Sequence, residues 1–179
     1  NPDDYESYFP GTNGKKGYNL LHLNALYEIN QHLYVDTVIQ KRKDWNEHKA
    51  LQEMVDRSTI NKALVIADRG YESYNNMAHI QEKGWYFLMR VKDGSGSIKR
   101  NLELPEEDTF DVNINLKITR KQSKEVKELL KSKNEYRFLP TNANFDYLPS
   151  SSGYKETAAF YELHFRVVRF KISENAYET

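Results

Sequence analysis

Two apolar runs end in the residues best suited to chemistry in this chain. The first, Ala63-Leu-Val-Ile-Ala67, stops at Asp68 and passes at once into Arg69-Gly70-Tyr71. The second, residues 85–89, stops at Arg90-Val91-Lys92. Short apolar runs with β-branched residues and turn formers at their ends read as buried strands. An acid at the carboxyl end of such a strand lies where open α/β sheets place their ligands. The plainer alternative is that Asp68 starts a turn and caps the helix that follows. Arg69 could contact a phosphate or pair with a carboxylate, since a guanidinium suits both. Arg90 and Lys92, at the end of a neighbouring strand, read as phosphate contacts.

Other chemistries find little support. The histidines at 22, 32, 48, 79 and 164 are scattered without metal-ligand spacing. No Gly-rich phosphate loop, zinc spacing or Ser–His–Asp arrangement occurs. The absence of cysteine excludes disulfides and thiolate metal sites and fits an intracellular chain. Basic and acidic side chains balance at 26 each, so no global basic field draws nucleic acid. Lys41-Arg42-Lys43 and the lysines over 117–133 could give local phosphate contacts, although Glu125 and Glu128 make the second cluster read as a solvated face. There is no apolar run of transmembrane length and no signal peptide.

The elements that must position these residues follow from periodicity. With 179 residues, the chain can bury one sizeable core or a core with an elaborated insertion. Residues 1–17 read as loop, and 18–29 and 33–40 as an antiparallel hairpin. Asp44-Trp-Asn-Glu47 matches a capping box and opens a helix to about residue 57. After the strand ending at Asp68, the pattern predicts a helix over 72–83 with Tyr74, Met77, Ala78 and Gln81 on one face and Gly84 as its stop. The strand over 85–91 then implies a parallel crossover, hence an α/β arrangement.

The character changes at residue 93, where Asp-Gly-Ser-Gly-Ser marks a boundary. Residues 110–119 alternate as a half-exposed strand. Residues 123–132 form a short helix with Val126, Leu129 and Leu130 inward. Residues 134–156 read as an aromatic loop, and 161–172 as a long strand with Leu163, Phe165 and Val167 on one face and Arg166 and Arg169 outward. Three segments result: 1–92, 93–172 and a return segment over 173–179.

Ala67-Asp-Arg-Gly-Tyr71, the helix after it and Gly84-Trp-Tyr-Phe-Leu-Met-Arg-Val-Lys-Asp93 together resemble the DDE transposases of bacterial insertion sequences, in the insertion-sequence-four branch. Lys16-Gly-Tyr-Asn-Leu-Leu-His-Leu-Asn-Ala-Leu26 and the stretch from Arg166 to Glu178 are similar to that family's flanking segments. The resemblance implies an α/β (α+β), RNase H-like mixed sheet with flanking helices, interrupted by a β-rich insertion. Residues 1–92 would be part of the catalytic core, and 93–172 the insertion.

It further implies a bacterial protein of the cytoplasm and nucleoid that binds transposon ends and target DNA, cleaves the ends and transfers strands. The implied chemistry is phosphoryl transfer with two Mg²⁺ or Mn²⁺ ions roughly 3.5–4 Å apart. Such hard cations require converging carboxylates, and Asp68 matches the second of the family's three acids. The first is expected upstream of the chain, Asp3 and Asp4 lying in an unsuitable Pro/Gly-rich loop. The third belongs to a Tyr-x2-Arg-x3-Glu-x6-Lys helix that does not occur here, and Glu178 precedes where that helix would begin. The expectation is therefore a fragment lacking the first strand and the last catalytic helix, inactive alone. Its exposed sheet edge invites pairing with a second copy. His22 could approach DNA, or be simply packed or exposed. The aromatics of 136–154 could stack on an unpaired base or, as such residues more often do, form the core of the insertion, which is the favoured reading. The competing reading is a DNA-binding or subunit-interaction module, or another RNase H-like nuclease.

Overall fold

A computed structural model describes residues 7–92, 94, 96–149, 160–173 and 176–178, with backbone only for Arg42 and for 176–178. The class is mixed α+β, with strands in four small sheets and three α-helices among the described residues. Two compact units divide the chain, Asn1–Asn61 and Lys62–Thr179. No helix among the described residues is long and apolar enough to cross a membrane.

In the first unit, β1 (Tyr8–Phe9) pairs antiparallel with β2 (Tyr18–Asn19). Strands β3 (His22–Glu28) and β4 (Leu33–Gln40) form the expected hairpin. The predicted strand over 18–29 is thus two strands. The Leu20 N–H donates to the Ser7 carbonyl at 2.9 Å, which ties the chain to the β1 neighbourhood before β3 begins. At the hairpin turn, the Glu28 carboxylate accepts the N–H groups of Asn30 and Gln31, and these bonds hold its pKa below the ordinary range.

Helix α1 (Glu47–Arg57) is capped by Asn46, whose Oδ1 accepts the Lys49 N–H at 2.9 Å. The N-cap read at Asp44 is therefore displaced by two residues, and with Lys49 at the third helical position it is a simple cap rather than a capping box. Asp44 lies inside a 3₁₀ turn, its N–H donating to the Lys41 carbonyl, while Asn46 has the extended backbone that an N-cap requires. Ala50, Leu51, Met54 and Val55 form the buried stripe of α1. Its last turn is fixed to β4 by Arg57, which donates to both carboxylate oxygens of Asp36 and to the Thr37 carbonyl.

The second unit opens with β5 (Leu64–Ala67), a 3₁₀ turn over Arg69–Tyr71, α2 (Tyr74–Glu82) and β6 (Tyr86–Met89). The two strands are parallel, with Leu64 beside Tyr86 and Ala67 beside Met89, as the crossover requires. Helix α2 starts two residues later than predicted, because Ser73 is the N-cap and accepts the Asn76 N–H. Gly84, at φ 73°, ends it, taking a left-handed conformation that costs glycine little.

Strand β7 (Phe110–Thr119) then leads through α3 (Lys124–Leu129), β8 (Tyr136–Phe138), β9 (Tyr161–Ser173) and β10 (Ala176–Glu178). These strands form one sheet in the order β10-β9-β7-β8. Its β7–β9 and β9–β10 pairs are antiparallel, and β8 runs parallel to β7. Strand β8 lies where a loop was predicted. With three residues it is too short to show alternation, and its register comes from long-range bonds such as Leu139 N–H to the Thr119 carbonyl. Ile114, Leu116, Ile118, Leu163 and Val167 are buried along the inner face. In α3 only Val126 is buried; Leu129 is exposed rather than inward, since a six-residue helix turns too little surface toward the sheet. Phe145, Tyr147 and Tyr161 pack edge-on and tilted against one another as core aromatics. Tyr154 lies outside the described residues.

Candidate functional site

The parallel register determines which side chains meet beyond the ends of β5 and β6. Because Ala67 pairs with Met89, Asp68 and Arg90 occupy equivalent places one residue past the ladder. Both are exposed, and both line a cleft of about 520 Å³. Its walls include Met77, Phe87, Phe165 and Val167, with Lys99 also at the lining. One carboxylate, Asp68, and three cations, Arg90, Lys99 and Arg166, thus share an otherwise apolar cleft.

Asp68 also performs half of the plainer role: it starts the turn, but the helix that follows is capped by Ser73. Its backbone is extended and its carboxylate accepts the Arg69 N–H at 2.6 Å, opening the 3₁₀ turn. The Tyr71 N–H closes that turn on the Asp68 carbonyl at 2.9 Å. Fully buried Asn76 then donates from Nδ2 to the Tyr71 carbonyl at 2.8 Å. Capping leaves the carboxylate exposed, so the two readings of Asp68 are compatible.

Arg69 is exposed in the turn, outside the cleft lining, and Lys92 is half-buried beyond β6. The structure therefore brings Asp68 and Arg90 to one cleft and leaves Arg69 and Lys92 flanking it in sequence. His22 belongs to the first unit, where it is a packed residue. Its ring lies 5.0 Å from the Trp45 ring, Nε2 is 3.3 Å from the Glu47 carboxylate, and Nδ1 is 3.1 Å from Asn24 Nδ2.

Three buried polar residues around the turn and helix that follow Asp68 were not visible as such in the sequence. Glu72 is only 8 % exposed and accepts the Lys92 N–H at 2.7 Å, the Ser97 hydroxyl at 3.2 Å and the Ile98 N–H. Asn75 exchanges two hydrogen bonds with Asp146, whose carboxylate also lies 2.9 Å from His79 Nε2. The Asn75 amide, then His79, holds the Asp146 carboxyl below its ordinary pKa despite partial burial. Asn76 ties the helix to the turn through the Tyr71 carbonyl. A polar pair inside a helix reads as a solvated face, and Glu72 reads as an acid in a first helical turn. A helix with partners on several sides overrides both patterns: residues 75–80 of α2 are all buried.

A hard divalent cation held by one or two carboxylates keeps several waters, and exposed Asp68 fits the part of one such ligand. Among the described residues, no group of three His, Asp or Glu side chains is arranged to hold a metal ion. Asp3 and Asp4, and the side chain of Glu178, lie outside the described residues.

No curated protein and no solved structure was found to match the chain. A family model described as a transposase DDE domain matches residues 2–170. That span runs from before β1 into β9 and includes the Asp68 cleft, and the chain accordingly belongs to the DDE transposases.

Proposed function

We propose that Asp68 supplies one carboxylate to a divalent-cation site for phosphoryl transfer on DNA, and that Arg69, Arg90 and Lys92 contact its phosphates. The observation that carries this reading is the shared cleft at the carboxyl ends of two parallel strands, with an exposed acid on one and an exposed arginine on the next. Ligands of open α/β sheets bind at such ends. A bound Mg²⁺ or Mn²⁺ would polarise the phosphate and lower the pKa of the attacking oxygen. The chain's own part is to hold a carboxylate on a rigid strand end and to set cations against the phosphate backbone.

The same proposal takes residues 1–92 as part of an RNase H-like core of the insertion-sequence-four type, 93–172 as its insertion and 173–179 as the return. Its setting is the bacterial cytoplasm and nucleoid, and its substrate is transposon-end and target DNA.

The test is a Mn²⁺ or Mg²⁺ titration of the wild-type chain and Asp68→Ala, followed by calorimetry and NMR. Cation binding by the wild type that disappears in the variant supports the reading. Equal binding in both places the cation elsewhere and counts against it. Salt-dependent DNA binding that survives Asp68→Ala, with no cation effect, favours a DNA-binding module instead.

A further inference from the structure

We infer that Glu72 is a positioning residue, which holds the cationic end of β6 in register with the turn that carries Asp68. The inference rests on the reading of Arg90 and Lys92 as DNA contacts.

The ladder between β5 and β6 stops at the Ala67–Met89 pair. Beyond it, Asp68 is fixed by its own turn, but Arg90, Val91 and Lys92 have left the strand. The Glu72 side chain takes over where the ladder ends. One carboxylate oxygen accepts the Lys92 N–H, and the other accepts the Ser97 hydroxyl and the Ile98 N–H. Ser97 is itself buried and caps the next 3₁₀ turn, accepting the Lys99 N–H. Lys99 lines the same cleft as Asp68 and Arg90.

The other end of Glu72 is equally well placed. Its backbone N–H donates to the Arg69 carbonyl at 3.4 Å, within the turn that Asp68 opens. A single residue therefore connects the acid's turn with the backbone that sets Arg90, Lys92 and Lys99. A carboxylate taking three donors in a buried place is a strong, charge-assisted anchor. It is also a sensitive one: an amide in its place would turn an NH₂ group toward N–H donors.

This role can be separated from mere support of the fold by the salt dependence of DNA binding. Each phosphate contact contributes about 0.9 to the slope of log K against log salt. A loss of folded protein would lower apparent affinity without changing that slope. The experiment measures short-duplex binding by the 179-residue chain over a range of salt. It compares wild type, Glu72→Gln, the milder Ser97→Ala, the pair Arg90→Ala/Lys92→Ala, and that pair combined with Glu72→Gln. The pair should lower the slope by about two. Glu72→Gln should lower it by about one, Ser97→Ala by less, and Glu72→Gln should have no further effect in the paired background, the mark of coupled residues. An unchanged slope in both Glu72→Gln and Ser97→Ala, while the pair lowers it, overturns the inference and spares the DNA-contact reading. An unchanged slope in the pair itself overturns that reading, and the inference falls with it. Additive slope losses overturn the coupling.

Discussion

The β3–β4 hairpin and the β7–β9 pair are both antiparallel and both alternate, yet they bury opposite kinds of face. In the β7–β9 pair the apolar positions Ile114, Leu116, Ile118, Leu163 and Val167 are inside, and Asn113, Asn115, His164 and Arg166 point to solvent. In the hairpin the outward row is the apolar one: Leu23 is 60 % exposed and its cross-strand partner Ile39 50 %. The covered row carries His22, Asn24, Leu26, Asp36, Val38 and Gln40. Its polar members are satisfied locally: Asn24 donates to Gln40, and Gln40 exchanges hydrogen bonds with the backbone of Asn46 at the start of α1. Alternation identifies the two faces of a strand. Which face is covered depends on the neighbouring element, and α1 offers both an apolar stripe and a polar N-terminus.

The largest expected effect sharpens that contrast directly. Leu116 and Leu163 are fully buried, so Leu116→Ala or Leu163→Ala should cost about 3–4 kcal/mol in urea unfolding of the second unit. Leu23→Ser on the outer hairpin face should cost no more than about 0.5 kcal/mol. A loss for Leu23→Ser as large as for the core leucines would show that the hairpin face is covered in solution, and the contrast would fail.

Next in size is the cap of α1. Asn46→Ala should lower stability by about 1 kcal/mol, whereas Asp44→Ala should have little effect; circular dichroism melts of the two variants discriminate the caps. The reverse result would restore the capping box read from the sequence.

The smallest effects come from two carboxylates with lowered pKa values, one in each unit. Arg57, the first cause, depresses Asp36, and Asn75 followed by His79 depresses Asp146. A depressed carboxyl stabilises the fold above its unfolded pKa, ordinarily about 3.9, and that stabilisation is lost as pH falls through the folded value. Both units should therefore lose stability below about pH 4, and Asp36→Asn and Asp146→Asn should each flatten the acid limb in melts taken over pH. Salt separates the two. It should weaken the partly exposed Arg57–Asp36 ion pair and leave the Asn75 amide bond to Asp146 largely unaffected. Equal salt sensitivity would mean that the Asn75 amide is not the partner that matters most to Asp146 in solution.

Much of the fold was legible because it is written in local periodicity. The hairpin, β5, the crossover helix, β6, β7 and β9 all follow runs and alternations that need no tertiary knowledge. Asp68 and Arg90 stood out for the same reason, as charged residues that stop apolar strands. The rest is set by contacts between residues far apart in the chain. Strand β8 has no pattern of its own and exists through β7, and the buried Asn75 and Asn76 are explained by Asp146 and the Tyr71 carbonyl. Glu72 resembles any acid near a helix start until Lys92, Ser97 and Ile98 are seen around it.

The register of the larger sheet has a consequence for the order in which the molecule assembles. Strand β7 pairs Phe110 with Arg169 and Ile118 with Tyr161, so its main partner is made only after α3, β8 and the aromatic stretch have been synthesised. Closing so distant a pair is slow compared with a hairpin, which zips in microseconds. On the ribosome, β7 must therefore wait with its apolar row uncovered and the whole edge that β9 will take unpaired. That interval, rather than any weakness of the finished sheet, is where aggregation or chaperone capture has its opening.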